Sequence, residues 1–406
     1  QRSPMPPRAA IYLDANASAP LRPEVQAELA RVLAEHPLLP NPSSVHAQGR
    51  LAKRLLSDAR EQVARSLGTD PEQIILTSSG TESNQLAIRS QLEPPLARRE
   101  PVHWITTPVE HDSTRSLVAW LESRGGSVSF LPVDAQGRPE ARALASLWRE
   151  RETRLVSAVW VNNETGVITD VAALSAATRR LGGRLHLDAA QAWGKLPVQA
   201  EASGADLLTF SGHKIGALAG TGALWLGRGI SFEALMAGKQ EKGRRGGTEN
   251  LLGAIALGRA AEALKAEAWS ASIEPLRDRL EKSILERVPG ARVNGAGAPR
   301  VANTLNLSFE GVEGDSLVMA LDLAGFCVSS GSACSSGVIE PSHVLMALGL
   351  SRPQAMAAIR VSLPGPMQWE ILEQFVMALE RVVRRVASSR PLFGSPARFR
   401  TGEVQP

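Results

Sequence analysis

Between about residues 70 and 230, short apolar runs alternate with longer stretches in which apolar residues recur at helical spacing. The runs predict strands over Ile74–Thr77, His103–Thr107, Ser127–Pro132, Leu155–Val161, Leu185–Asp188, Leu207–Phe210 and Ala223–Leu226. Several are apolar throughout, as strands covered on both faces must be. Helical spacing falls on Pro23–His36, Ser44–Leu67, Glu82–Gln91, Val171–Leu181 and Asn250–Ala268. Such alternation predicts an α/β fold with a mainly parallel seven-stranded sheet flanked by helices.

Past about residue 270 the rhythm changes. A charged amphipathic stretch, Ile273–Glu286, leads through a Gly/Ala/Pro loop to a strand-like Thr304–Phe309 and a helix-like Asp315–Ala324. A Gly/Ser-rich segment from Ser329 to Gly337 comes next, then a strand at Ala358–Leu363 and a long helix from Trp369 to about Val386. This pattern reads as a smaller α+β domain. The expected division is an N-terminal segment 1–20 able to pack on the small domain, a large domain 21–268 and a small domain 269–406.

A chain of 406 residues suits two cores better than one. Its 43% hydrophobic and 21% charged content lies near globular averages. No apolar run is long enough to cross a bilayer, and the opening residues lack the apolar stretch of a secretory signal, so a cytoplasmic location is expected. The net charge of +4 is small for this length and does not argue for nucleic-acid binding. Arginines do gather near the C-terminus, at Arg381, Arg384, Arg385, Arg390, Arg398 and Arg400. They form either a solvated helix end or a docking surface for an acidic partner. Two cysteines, Cys327 and Cys334, cannot make a disulfide framework, and the seven histidines lack metal-ligand spacing, so no metal is expected.

Polar residues interrupt the apolar runs at one recurring place, the carboxyl ends of the strands. There stand Ser78 to Ser83, Glu110-His111, Asn162 to Glu164, Asp188 to Gln191 and Ser211 to Lys214. In doubly wound α/β sheets this edge is where ligands bind. The Gly80 turn opens a helix and suits a phosphate, although a plain turn capped by Thr81 would look the same. Lys214 can form a Schiff base with an aldehyde cofactor if its amine is freed; otherwise it is an ordinary ion-pair lysine. Asp188 can pair with a pyridinium nitrogen or serve as a structural carboxylate. His111 can stack on a planar ring, move protons or be structural. Phosphate cradle, acid, imidazole and amine together describe a pyridoxal-phosphate site far better than any one of them does alone.

At this level the chain resembles the cysteine desulfurases of the class V aminotransferase family, fold type I, in particular the NifS/IscS-like branch. The resemblance rests on Tyr12 to Ala17, Asn41 to His46, Ser79 to Asn84, Val109 to His111, Val161 to Glu164, His186 to Gln191, Ser211 to Lys214, Arg244 to Asn250 and Ser329 to Ser335, in family order. It implies pyridoxal phosphate held by Lys214, with the phosphate at Gly80, Thr81, Ser211 and His213 and at Thr248 from a partner subunit. It implies Asp188 at the ring nitrogen, His111 on the ring face, and Asn163 and Gln191 near the ring oxygen. Arg360, helped by Asn41, would hold the substrate carboxylate of L-cysteine. A homodimer and a sulfur-acceptor or iron–sulfur scaffold partner are also implied. The run Ile215 to Gly220 departs from the Gly-Pro-Lys-Gly-like family pattern, and Asp14 to Ala19 is a variant of its opening motif.

The cofactor does not fix the reaction, because the same electron sink serves transamination, elimination and decarboxylation. Cys334 discriminates. It sits among serines and glycines with little to pack against, whereas Cys327 lies between Phe326 and Val328 and reads as core. The expected chemistry is removal of sulfur from L-cysteine as a Cys334 persulfide, with alanine released. A selenocysteine lyase, another class V lyase or aminotransferase, and a non-catalytic sulfur-transfer scaffold are the alternatives.

Overall fold

A computed structural model of the chain describes residues 10–330, 333–335 and 338–388. Its main sheet has seven strands in the order Ile74–Thr77, Gly222–Leu226, Leu207–Ser211, Leu185–Asp188, Thr153–Val159, His103–Thr106 and Ser127–Phe130. Five strands, from Leu207–Ser211 to the Ser127–Phe130 edge, pair in parallel; Gly222–Leu226 runs antiparallel to both of its neighbours. The fold is therefore the α/β architecture expected from the pattern. The central strands are buried along their whole length, which accounts for their largely apolar sequence.

Helices cover both faces. Pro23–Glu35 begins with proline in its first turn, where the missing N–H costs nothing. Ala47–Ser66 is capped by His46 and packs on Leu251–Glu262, which also carries Pro23–Glu35, in a core that includes Leu56, Val63 and Leu257. Gly80–Ala97 carries Pro94 and Pro95 in its last turn; its cap is Ser79, whose Oγ accepts from Glu82 N at 3.1 Å. Thr81 is thus the second helical residue and not the cap, because the chain is already extended at Ser79. The apolar pattern does not single out the helix Asp112–Glu122, whose buried positions include just two large apolar residues, Leu117 and Leu121. The expected helix Asn250–Ala268 ends at Glu262, and a separate one, Ala266–Arg287, follows.

A second core lies in the C-terminal part. The antiparallel sheet Ser329–Ser330, Ala358–Ser362, Thr304–Phe309 and Ala291–Val293 carries Leu305, Leu307, Phe309, Ile359 and Val361 into it. Helix Trp369–Ser388 adds Leu372, Phe375, Val376, Leu379 and Val383, the i, i+3, i+4 spacing of one buried stripe. Each such side chain is worth about 1.5–3 kcal/mol of burial. The N-terminal strand Ile11–Tyr12 pairs in parallel with Phe326–Cys327, and Leu13 joins this core. The Gly/Ser-rich segment is not loop throughout: Ser329–Ser330 pairs with Ala358–Ser362, and Ala333–Ser335 pairs with Val338–Glu340. Backbone pairing needs no side-chain bulk, which is why composition alone misses it.

Candidate active site

Strand Leu207–Ser211 runs directly into the short turn Gly212–Lys214, which lifts Lys214 over the carboxyl edge of the sheet. A cavity of about 410 Å³ opens there. It is lined by Gly80, Thr81, His111, Asn163 and Asp188, and by Gln191, Ser211, His213, Lys214 and Arg360. Ten of the residues singled out by sequence therefore meet around one space, although they span 280 positions of chain from Gly80 to Arg360. Asn41 is exposed, accepts from Ser43 N at 2.8 Å and does not line the cavity. Thr248 lines a neighbouring, smaller cavity with Ser78, Arg245 and Asn250.

Lys214 Nζ donates to the main-chain oxygens of Asn16, at 2.6 Å, and Ala17, at 2.9 Å. Burial, and next the Arg360 guanidinium, bring its pKa down to about 8, against the opposing pull of Asp14 and Asp188. About a tenth of the amine is then free at pH 7, far more than at the ordinary lysine value. Burial and the neighbouring Lys214 also lower His213 to about 4, so its imidazole is neutral.

Asp188 ends its strand at 5% exposure. Its Oδ1 accepts from Ala190 N at 3.0 Å and its Oδ2 from Asn84 Nδ2 at 2.8 Å, so the carboxylate is fixed in the cavity wall. Asn84 also donates to Ser113 Oγ, while its own Oδ1 is buried without a partner. His111 caps helix Asp112–Glu122: its Nδ1 accepts from Ser113 N at 3.1 Å, which leaves the ring proton on Nε2. The histidine is thus both structural and part of the cavity wall.

Arg360 stands on strand Ala358–Ser362 and faces the cavity from the other core. Its Nη2 donates to Asp14 Oδ1 at 2.8 Å and to Ser329 Oγ at 3.1 Å, and its Nη1 to Asn163 O at 3.1 Å. Ser329 begins the segment that holds Cys334. On the return side, Ser342 Oγ donates to Glu164 Oε2 at 2.6 Å, one residue from Asn163. The backbone of Cys334 pairs with Ile339 in the strand Ala333–Ser335; its side chain lies outside the described residues.

Sequence reasoning did not assign Asn16, Asn84 or Ser113 to the site. Asn84 carried a usable signal, since it lies one helical turn from Thr81 on the helix that opens at Ser79. Asn16 had none, because it is brought in by contacts 147 to 346 positions away.

A sequence model of the aminotransferase class-V family matches residues 11–375. The chain belongs to the class V aminotransferase family. It is 39% identical over 399 residues to a cysteine desulfurase of Trichormus azollae, covering 97% of this chain and 98% of that one. Among solved structures, a NifS-like protein superposes with a TM-score of 0.85 at 30% identity, covering 93% of this chain and all of the other. A structure titled SspA in complex with cysteine gives a TM-score of 0.77 at 31% identity, with 88% and 99% covered. As a class V enzyme the chain takes pyridoxal phosphate.

The residues present fit that cofactor. Helix Gly80–Ala97 points its N-terminus into the cavity through Gly80 and Thr81, a natural anion seat. A Cβ on Gly80 would come within 3.1 Å of Ser211 Cβ, so glycine keeps this seat open. The low-pKa amine of Lys214 and the fixed carboxylate of Asp188 stand in the same space. No helix among the described residues is long and apolar enough to cross a membrane, and none of their His, Cys, Asp and Glu groups could hold a metal ion.

Proposed function

We propose that this chain is a cysteine desulfurase that converts L-cysteine to L-alanine and leaves the sulfur on Cys334 as a persulfide. The carrying observation is that the Cys334 segment departs from and returns to the rim of the Lys214 cavity, at Ser329 on Arg360 and at Ser342 on Glu164. Cys334 lies five residues from Ser329, a reach of about 17 Å when extended. The full-length likeness to a cysteine desulfurase and to a cysteine-bound structure supports the same reading.

In this reading Lys214 holds the cofactor, Gly80, Thr81, Ser211 and His213 seat its phosphate, Asp188 faces its ring nitrogen, His111 covers the ring, and Asn163 and Gln191 border its ring oxygen. Pyridoxal phosphate, when bound, supplies the sink for electrons released at the substrate α-carbon. Arg360 binds the substrate carboxylate and so orients the α-hydrogen. Lys214 Nζ, once free, takes the α-proton, a role its lowered pKa suits. The Cys334 thiolate attacks the substrate sulfur; the S–S bond forms, the Cβ–S bond breaks, and its electron pair with a proton completes alanine. The thiol of Cys334 and L-cysteine thus give Cys334 persulfide and alanine, with no external oxidant.

The persulfide then passes to an acceptor or iron–sulfur scaffold protein. The working unit in this reading is a cytoplasmic homodimer, with Thr248 serving the partner's phosphate seat and the chain divided near residues 20 and 268. The test is mass spectrometry of Cys334 after exposure to L-cysteine, with alanine measured in parallel. Wild type should gain one sulfur per Cys334 and release alanine; Cys334→Ala should do neither while keeping the visible band of the cofactor. Undiminished alanine release by Cys334→Ala would overturn the assignment.

A further inference from the structure

Beneath the cavity lies a lysine that this chemistry does not use. Lys195 is 5% exposed, and its Nζ donates to Asn16 Oδ1 at 2.6 Å and to Gln191 Oε1. Among the described residues no carboxylate pairs with it. The charged groups that act on it, Lys214 and Arg360, are both cationic. A buried ammonium there would meet desolvation and two like charges. A neutral amine has two N–H bonds, which match the two acceptors. Burial, then Lys214 and Arg360, hold its pKa well below the ordinary lysine value.

The two acceptors are the informative part. Gln191 Nε2 donates to the main-chain oxygen of Asn16 at 2.9 Å. That oxygen can accept and never donate, so the carboxamide has a unique orientation with Oε1 toward Lys195. One Nε2 hydrogen is spent on Asn16, and the other is left for the cavity that Gln191 lines. The same Asn16 oxygen receives Lys214 Nζ at 2.6 Å. Asn16 is itself held on every side, by Ser362 Oγ at its N–H, by Asn163 O and Thr304 Oγ1 at its Nδ2, and by Asn303 at its Oδ1. Lys195 therefore grips the side chains of Asn16 and Gln191, two residues that line the cavity, without entering the lining itself.

We propose that Lys195 is a positioning residue: by holding Gln191 Oε1 and Asn16 Oδ1 it turns the Gln191 carboxamide into a fixed N–H donor toward the oxygen-bearing edge of the cofactor ring. This rests on the assignment of Gln191 to that edge. Lys195 touches no reacting atom; it acts through Gln191.

The experiment is a double-mutant cycle on the full chain, with pyridoxal phosphate affinity measured by equilibrium titration of its visible band. Lys195→Met and Gln191→Ala should each weaken binding about tenfold, and the double variant should be no weaker than either single one. Lys195→Gln, which keeps an N–H, should stay within about threefold of wild type. Wild-type affinity in Lys195→Met, or losses that multiply to about a hundredfold in the double variant, would overturn the proposal, since a merely stabilising lysine acts independently of Gln191. The cycle is repeated with Lys195→Leu, so that poor folding of one variant leaves the comparison intact. A wild-type chain that takes up no pyridoxal phosphate would sink the functional reading itself. Uptake by wild type together with a silent Lys195→Met sinks this inference alone.

Discussion

Glu110 offers the sharpest pH test of how the cavity wall is built. It is 1% exposed, yet it is a carboxyl. Its Oε1 accepts from Thr107 Oγ1 at 2.5 Å and Val159 N at 2.9 Å, while Oε2 is buried without a partner. Burial pushes its pKa up to about 8, with Asp188 adding to the rise and the two hydrogen bonds opposing it. An acid whose folded pKa exceeds its unfolded one contributes stability below the unfolded value and loses it as pH climbs toward the folded value. Stability held through Glu110 is therefore present below the ordinary carboxylate range and falls until about pH 8. Glu110→Gln mimics the protonated acid and cannot ionise, so it should escape the fall. The slope is at most about 1.4 kcal/mol per pH unit. Between pH 5.5 and 7.5 the variant should therefore gain about 2 kcal/mol on wild type, below a ceiling of roughly 2.7. Urea unfolding of both holoenzymes across that range, followed by tryptophan fluorescence, measures it. Parallel stability curves, or a variant that loses ground as pH rises, would refute the reasoning.

Two further predictions concern the cofactor site. Capture of pyridoxal phosphate by the cofactor-free chain should speed up with pH around a midpoint near 8 rather than near 10.5, and Arg360→Met should move that midpoint upward because a neighbouring positive charge is gone; stopped-flow absorbance reads both. If Asp188 faces the ring nitrogen as proposed, Asp188→Asn, which keeps the Ala190 hydrogen bond but removes the charge, should lower cofactor affinity about 10- to 100-fold, the value of a charge-assisted hydrogen bond, as measured by equilibrium titration.

The main sheet was legible because strands buried on both faces are written in short, largely apolar runs: Leu185–Asp188 and Ile74–Thr77 match their expected bounds to the residue. The polar groups at their carboxyl ends were legible by position, since Asp188 and Ser211 close largely apolar runs at the same edge of the sheet. What could not be read was structure that two-residue strands make over long separations. Ile11–Tyr12 meets Phe326–Cys327 with no local pattern on either side. Asn16 likewise looks like any loop asparagine until Thr304, Asn163 and Ser362 surround it. Lys195 stands in a turn beyond the Asp188 to Gln191 motif, where sequence favours an exposed residue; only tertiary packing buries it.

The site assigns its few carboxylates in a way that decides which cations keep their protons. Asp14 is placed on Arg360, and Asp188 is held by Asn84 and the Ala190 amide. Both lysines are left to main-chain oxygens and side-chain amides, which accept hydrogen bonds but give little Coulombic support to an ammonium. Arg360 loses nothing by its carboxylate, because guanidinium stays charged regardless. The amines, buried and with no carboxylate in hydrogen-bond contact, are pushed toward neutrality, and Lys214 falls in the range that suits its proposed role in proton transfer. A carboxylate beside Lys214 would hold the amine charged, and a carboxylate arriving at Arg360 must share the guanidinium with Asp14. If Arg360 holds the substrate carboxylate as proposed, the carboxylate's arrival would act on the Arg360–Ser329 contact at the base of the Cys334 segment.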